Sequence, residues 1–194
     1  MENIVIIKYN AGNIGSVANA LKRLDVNYKI SADPDVIGKA DKVIFPGVGE
    51  ASSTMKNLRE RGLDVLIPRL RQPVLGICLG MQLMCAWSEE GDTRGLGIFK
   101  ERVYKFRINE KVPHMGWNTL MPSTDPLLTD LPEQAWFYFV HSFYAESGES
   151  TVASCEYGIS FGAYLKKDNF YGVQFHPEKS GKTGSKFIQN FIAL

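Results

Sequence analysis

Three short stretches limit the fold of this chain more than any other feature: NIVIIK (3–8), KVIFPG (42–47) and PVLGI (73–77). Each is apolar without the alternation that marks a strand with one wet face. A strand reads this way when both of its faces are buried, which points to a parallel sheet covered by helices on two sides. The intervening segments supply such helices. Helical patterning runs from Ile14 to Leu24 and again across Ser52–Leu70, and NYKIS (27–31) adds another short strand. The second half changes character. RVYKFR (102–107), AWFYFV (135–140), TVASCEY (151–157), FGAYLKKDN (161–169) and FYGVQF (170–175) are strand-like, with Gly, Pro, Asp and Ser between them, and a helix from about Gly184 to Ala193 closes the chain. The expected fold class is α/β: a mixed, largely parallel central sheet flanked by helices. A chain of 194 residues can bury one core without staples, so one domain over 1–194 is expected.

PVLGICLGMQLM (73–84) joins the end of a buried strand to the apolar side of a helix, with Cys78 at the junction and Gly76 and Gly80 two residues to either side. This is the pattern of a nucleophile elbow, written G-x-S-x-G, with a thiol in place of the hydroxyl. A sharp strand-to-helix turn lifts the side chain above the sheet edge. The strain is tolerable only where neighbouring elements approach without clash, and glycine lacks the Cβ that would collide. The helix opening at Leu79 directs free N–H groups towards the sulfur, favouring thiolate and a developing oxyanion. Cys85 and Cys155 read as core residues.

A thiol nucleophile needs a base, and the base an orienting partner. His176, in GVQFHPEKS, precedes a proline and is therefore biased to extended backbone at a strand end. Residues i and i+2 of an extended segment share a side, so Glu178 is expected to accept an imidazole N–H. In a parallel sheet this loop belongs at the same edge as Cys78. FPGVGE (45–50) follows a strand with two glycines and suits a loop that binds an oxyanion through backbone N–H groups. AGNIG (11–15) is glycine-rich after the first strand, but it lacks G-x-G-x-x-G and the acidic residue a dinucleotide site needs, and that reading is rejected.

Taken together, these residues resemble the class I (triad) glutamine amidotransferases over essentially the whole chain, a flavodoxin-like fold. The resemblance implies Cys78 as nucleophile, His176 as base and then acid, and Glu178 as the orienting carboxylate. It implies the backbone N–H groups of Val48 and Leu79 as oxyanion donors, and Gly49 and Gln82 as contacts for L-glutamine. A further set, YNAGNIGS (9–16), GLG (95–97), VPHMGWN (112–118), YFVHSFY (138–144) and FHPEKSG (175–181), is similar to the glutaminase subunits of imidazole glycerol phosphate synthases. That narrower resemblance implies a heterodimer with a cyclase of (β/α)8-barrel type in histidine biosynthesis. It turns Asn10, Asn13, Trp117, Tyr138 and Lys182 towards that partner, and it implies neither cofactor nor metal. A paralogous subunit serving sugar amidation would keep the same triad, and a stand-alone cysteine hydrolase or peptidase, or a non-catalytic binding subunit, would differ in its response to glutamine.

Composition narrows the partners. Twenty-two basic and 21 acidic residues leave a formal charge of +1, no footprint for nucleic acid or an anionic membrane. No apolar run approaches the roughly 20 residues of a membrane span. The opening MENIVIIKYN lacks the parts of a secretory leader. Three cysteines without metal-ligand spacing suit a reduced, cytoplasmic protein.

Overall fold

The computed structural model describes residues 3–9, 13–121, 123–132 and 134–194. In chain order the first half comprises β1 (Ile4–Ile7), α1 (Ile14–Arg23), β2 (Tyr28–Ser31), α2 (Pro34–Gly38), β3 (Lys42–Gly47), α3 (Ala51–Glu60), α4 (Leu63–Leu66), β4 (Val74–Cys78) and α5 (Leu79–Met84). The second half adds β5 (Trp87–Ser88), β6 (Thr93–Arg94), β7 (Arg102–Lys105), β8 (His114–Thr119), β9 (Trp136–His141), β10 (Phe143–Ala145), β11 (Thr151–Glu156), β12 (Ser160–Lys167), β13 (Phe170–Val173) and α6 (Gly181–Ile192).

The main sheet runs β2-β1-β3-β4-β13-β12-β10-β7-β5-β6, with β11 paired to β12. Its first five strands are parallel, in the doubly wound order expected of a flavodoxin-like sheet. Beyond β13 the pairing turns antiparallel through β12, β10 and β7. The absence of alternation in the early strands now has its physical cause. Ile4 and Ile6 pack into one core with α1 and α6, whereas Val5 and Ile7 pack into a second core with α3 and α5. Both faces are dry, so neither tolerates a polar residue. Strands β8 and β9 form a separate antiparallel pair, lying on the α6 side through Phe137, which packs tilted against Phe175 at 4.0 Å between ring centroids.

Two expectations need correction. The helical stretch across Ser52–Leu70 is broken: Gly62 takes a left-handed conformation (φ 67°) between α3 and α4, and Pro68 falls in a 3-10 turn, Ile67–Arg69. The last helix begins at Gly181 rather than Gly184. Gly184 lies inside it because an added Cβ would stand 1.9 Å from the Pro177 carbonyl oxygen, so the helix can approach the 176–178 turn only without one.

Candidate active site

The parallel register decides which loops meet. Gly47 lies opposite Cys78 on the adjacent strands β3 and β4, and Ile77 lies opposite Val173 on β4 and β13. Three chain segments therefore leave neighbouring strands at one edge of the sheet: Val48–Gly49, Cys78–Leu79 and Gln174–His176. All three contribute to a cavity of about 380 Å³, lined by Val48, Gly49, Cys78, Leu79, Gln82 and His176, with β9 and β10 closing the far wall through Val140 to Phe143. That volume falls within the roughly 300–1,000 Å³ usual for small-molecule sites.

Cys78 sits at φ 53°, ψ −111°, a conformation rarely accessible to a residue with a side chain. Such strain persists only where the surroundings hold it. Here they do so by close approach of backbones. A Cβ on Gly80 would fall 1.9 Å from the Phe45 carbonyl oxygen, and one on Gly47 would fall 2.4 Å from the Gly80 nitrogen. The first turn of α5 is thus pressed against the end of β3, and only glycines on both sides permit it. Gly49, with φ 112°, is the other residue of the cavity wall whose backbone favours glycine.

His176 is 1% exposed, and its Nδ1 donates to Glu178 Oε1 at 2.8 Å. The pair does not form along an extended i, i+2 segment. Only His176 is extended; Pro177–Lys179 is a 3-10 turn, started by the proline at its first position, and the turn carries Glu178 back beside the ring. The same carboxylate oxygen accepts from Asn13 Nδ2 at the start of α1. The base is anchored by its backbone as well: His176 N–H donates to the Tyr138 carbonyl at 2.8 Å, and Ser180 Oγ donates to the His176 carbonyl at 2.6 Å.

With Nδ1 engaged, Nε2 is the nitrogen left for the sulfur. It is buried and makes no hydrogen bond among the described residues. Burial alone disfavours a charged imidazole here. The charge of the Cys78 thiolate and its pull on the ring, then the pairing with Glu178, outweigh that and raise the His176 pKa from 6.5 to about 10. His176 is therefore held as the imidazolium near neutral pH.

Several residues in the cavity wall or packed behind it are not signalled by any motif. Gln174 is fully buried and reaches the sulfur with Nε2 at 3.6 Å. A glutamine inside the otherwise apolar FYGVQF was the available signal, since a polar side chain in a dry strand must find a partner. His141 donates from Nδ1 to the Phe143 carbonyl at 2.7 Å and accepts at Nε2 from His114 Nδ1 at 3.1 Å. That carbonyl can only accept, so both tautomers follow from it. Burial lowers both pKa values, to about 4 for His114 and about 3 for His141, and the pair is neutral. Glu90 and Lys179 bring one charge of each sign to the cavity wall.

Of the residues expected to face a partner, Trp117 is 53% exposed and meets Tyr138 edge-on at 6.0 Å, directly across the β8–β9 pair. Lys182 is exposed, in a shallow depression shared with Arg23, Lys179 and Lys186. Asn13 turns its amide inward to Glu178, and Asn10 lies outside the described residues. Among the described residues no cluster of three or more His, Cys, Asp or Glu is arranged to hold a metal, and no helix is long and apolar enough to cross a membrane.

Comparison with known proteins places the chain in a family. The family described as glutamine amidotransferase class-I matches residues 5–194. The chain is 54% identical over 194 residues to imidazole glycerol phosphate synthase subunit HisH of Bacteroides thetaiotaomicron, covering 98% of this chain and 99% of the relative. It is 46% identical to the subunit of the same name from Vibrio cholerae, covering 100% and 99%. In fold it is similar to a putative GMP synthase protein from Thermoplasma acidophilum, with a TM-score of 0.77, 20% identity and coverage of 100% and 93%. A second solved structure, a glutamine amidotransferase, superposes with a TM-score of 0.76 at 18% identity, covering 97% of each chain. The chain belongs to the class-I glutamine amidotransferases, in the branch that holds the HisH subunits of imidazole glycerol phosphate synthase.

Proposed function

We propose that this chain is the glutaminase subunit of an imidazole glycerol phosphate synthase, a single amidotransferase domain that hydrolyses L-glutamine and passes ammonia to a cyclase partner. The observation that carries the reading is the convergence of sulfur, imidazole and carboxylate at one mouth of the parallel sheet. Cys78 attacks the side-chain amide carbon of glutamine as thiolate. The oxyanion that forms is held by the backbone N–H groups of Leu79 and Val48, at the edge of the α5 turn and the PGVG loop. His176, already protonated, donates from Nε2 to the departing nitrogen; the C–N bond breaks, ammonia leaves, and a γ-glutamyl thioester remains on Cys78. Nε2 then takes a proton from water, whose oxygen attacks the thioester and releases glutamate and the thiolate. Glu178 holds the ring in register through Nδ1. Gly49 and Gln82 contact the bound glutamine, whose ammonium and carboxylate find opposite charges at Glu90 and Lys179. Every step uses protein groups and water.

Ammonia released into neutral water becomes ammonium and ceases to be a nucleophile, which favours a docked acceptor and an enclosed route. We assign that role to a cyclase of (β/α)8-barrel type, forming a heterodimer over Trp117, Tyr138 and Lys182, in the cytoplasm. Tyr138 links this surface to the chemistry, since its carbonyl holds the His176 backbone. The test is ammonia release from glutamine with and without the cyclase loaded with its substrate. The expected result is weak release alone, strong activation by the loaded partner, and loss of both in Cys78→Ala. Equal rates with and without the partner would remove the coupling, and an active Cys78→Ala protein would remove the nucleophile.

A further inference from the structure

A backbone carbonyl sets the direction of a buried hydrogen-bond chain that ends on the Cys78 sulfur. The Phe143 carbonyl can only accept, and Gln82 Nε2 donates to it at 2.9 Å. The same amide donates to Gln174 Oε1 at 2.8 Å. With its oxygen engaged, Gln174 must turn its NH2 towards Cys78, and its Nε2 lies 3.6 Å from Sγ. Flipping Gln82 would set oxygen against oxygen at Phe143 and again at Gln174. Flipping Gln174 would set nitrogen against nitrogen at Gln82. Neither amide can turn over without a clash of like groups, so the sulfur receives an N–H and must serve as the acceptor. Gln174 is 0% exposed and Gln82 5%, so no water competes freely for these bonds. The same carbonyl also takes the His141 Nδ1–H, which leaves it little freedom to move.

We propose that Gln174 is a further residue of the reaction centre: its amide N–H stabilises the Cys78 thiolate, and its carbonyl oxygen orients Gln82 so that Gln82 Oε1 is offered to the ligand as an acceptor. The proposal rests on the reading of Cys78 as the nucleophile. It gives the sulfur a second donor besides the imidazolium, on a group that does not titrate and does not leave when His176 gives up its proton. When the sulfur carries a proton instead, the Val140 carbonyl, 3.9 Å from Sγ, is the acceptor within reach. The two halves of the role are inseparable, since both hydrogens of Gln82 are engaged by protein oxygens, which leaves its own oxygen as the group to meet a ligand in the cavity it lines.

The test is the pH dependence of Cys78 alkylation by iodoacetamide in the full chain. Cys85 and Cys155 are 0% exposed and burial pushes both thiols up, so the reagent reports Cys78. Gln174→Leu removes the donor and Gln174→Glu keeps the size while replacing the donor with a group that titrates. In both, the midpoint of the alkylation curve should rise by about one pH unit or more, as expected for losing a hydrogen bond to a charged atom. Glutamine hydrolysis in the complex should fall about tenfold or more near neutral pH and recover in part as pH is raised. Thermal melting identifies the folded variants, and Gln174→Glu decides the matter if Gln174→Leu does not fold. A midpoint unchanged in a folded variant, with Cys78→Ala inactive, would overturn the role of Gln174 and leave the nucleophile intact. A Cys78→Ala protein that still hydrolyses glutamine would overturn the underlying reading instead.

Discussion

Replacing His114 with phenylalanine tests whether burial keeps the paired imidazoles neutral. The ring is held between Phe139 and Tyr157, with centroids at 4.8 and 4.0 Å and interplanar angles of 22° and 20°, so a phenyl group can keep the stack. What it loses is the N–H donated to His141 and the capacity to titrate. In the folded protein His114 resists protonation until about pH 4, whereas the unfolded chain takes up the proton near 6.5. The stability contributed by a group whose folded pKa is depressed is full above the unfolded value and is lost as pH falls towards the folded one. One pH unit of that window is worth about 1.4 kcal/mol. Allowing for partial titration near 6.5, the loss for His114 between pH 7 and pH 5 is about 2 kcal/mol. His141, with a still lower value, adds a similar loss in both proteins. The upward shift of His176 has the opposite sign: its contribution is full below 6.5 and is lost as pH rises through about 10, and it cancels in the comparison. Urea unfolding at pH 7, 6 and 5 measures the difference. The variant should start less stable at pH 7, by about 1 kcal/mol for the lost hydrogen bond, and the gap should close or reverse by pH 5. Two stability curves that run parallel from pH 7 to pH 5 would refute the reasoning, because they would mean that His114 titrates alike in both states.

Gly80→Ala drives a methyl group to 1.9 Å from the Phe45 carbonyl oxygen, backbone that cannot rotate away. It should destabilise the fold by about 3 kcal/mol, visible as a lower melting temperature, and should disable the elbow in whatever fraction folds. Asn13→Ala removes a donor from Glu178 while leaving the His176–Glu178 bond in place. Its melting temperature should change little, and kcat for glutamine should fall by about tenfold, equivalent to about 1.4 kcal/mol of transition-state stabilisation. A kcat within a factor of two of wild type would show that the carboxylate is held without it.

The residues by themselves determined the layered architecture and the chemical actors. Runs such as IVII and VLGIC admit no wet face, and a strand without one must lie inside a covered sheet. A cysteine between glycines at a strand-to-helix turn announces a presented nucleophile, because only that backbone needs both neighbours bare. His-Pro-Glu announces an oriented imidazole. Local chemistry of this kind is written in local sequence. The broken helix at Gly62 and the 3-10 turn under Glu178 were less visible, since a glycine or a proline allows several conformations and packing selects among them.

What only the tertiary structure decided is which distant residues share an environment. Cys78 and His176 are 98 positions apart, and it is the parallel pairing of β4 with β13 that brings them to one edge. The protonation state of His176 is opposed by burial and favoured by Glu178 and by Cys78 on another strand, and its neighbours in sequence reveal neither the burial nor Cys78. Asn13, Gln174 and the His114–His141 pair became part of the site for the same reason: a buried polar group must find a partner, and which partner it finds is a property of the closed fold.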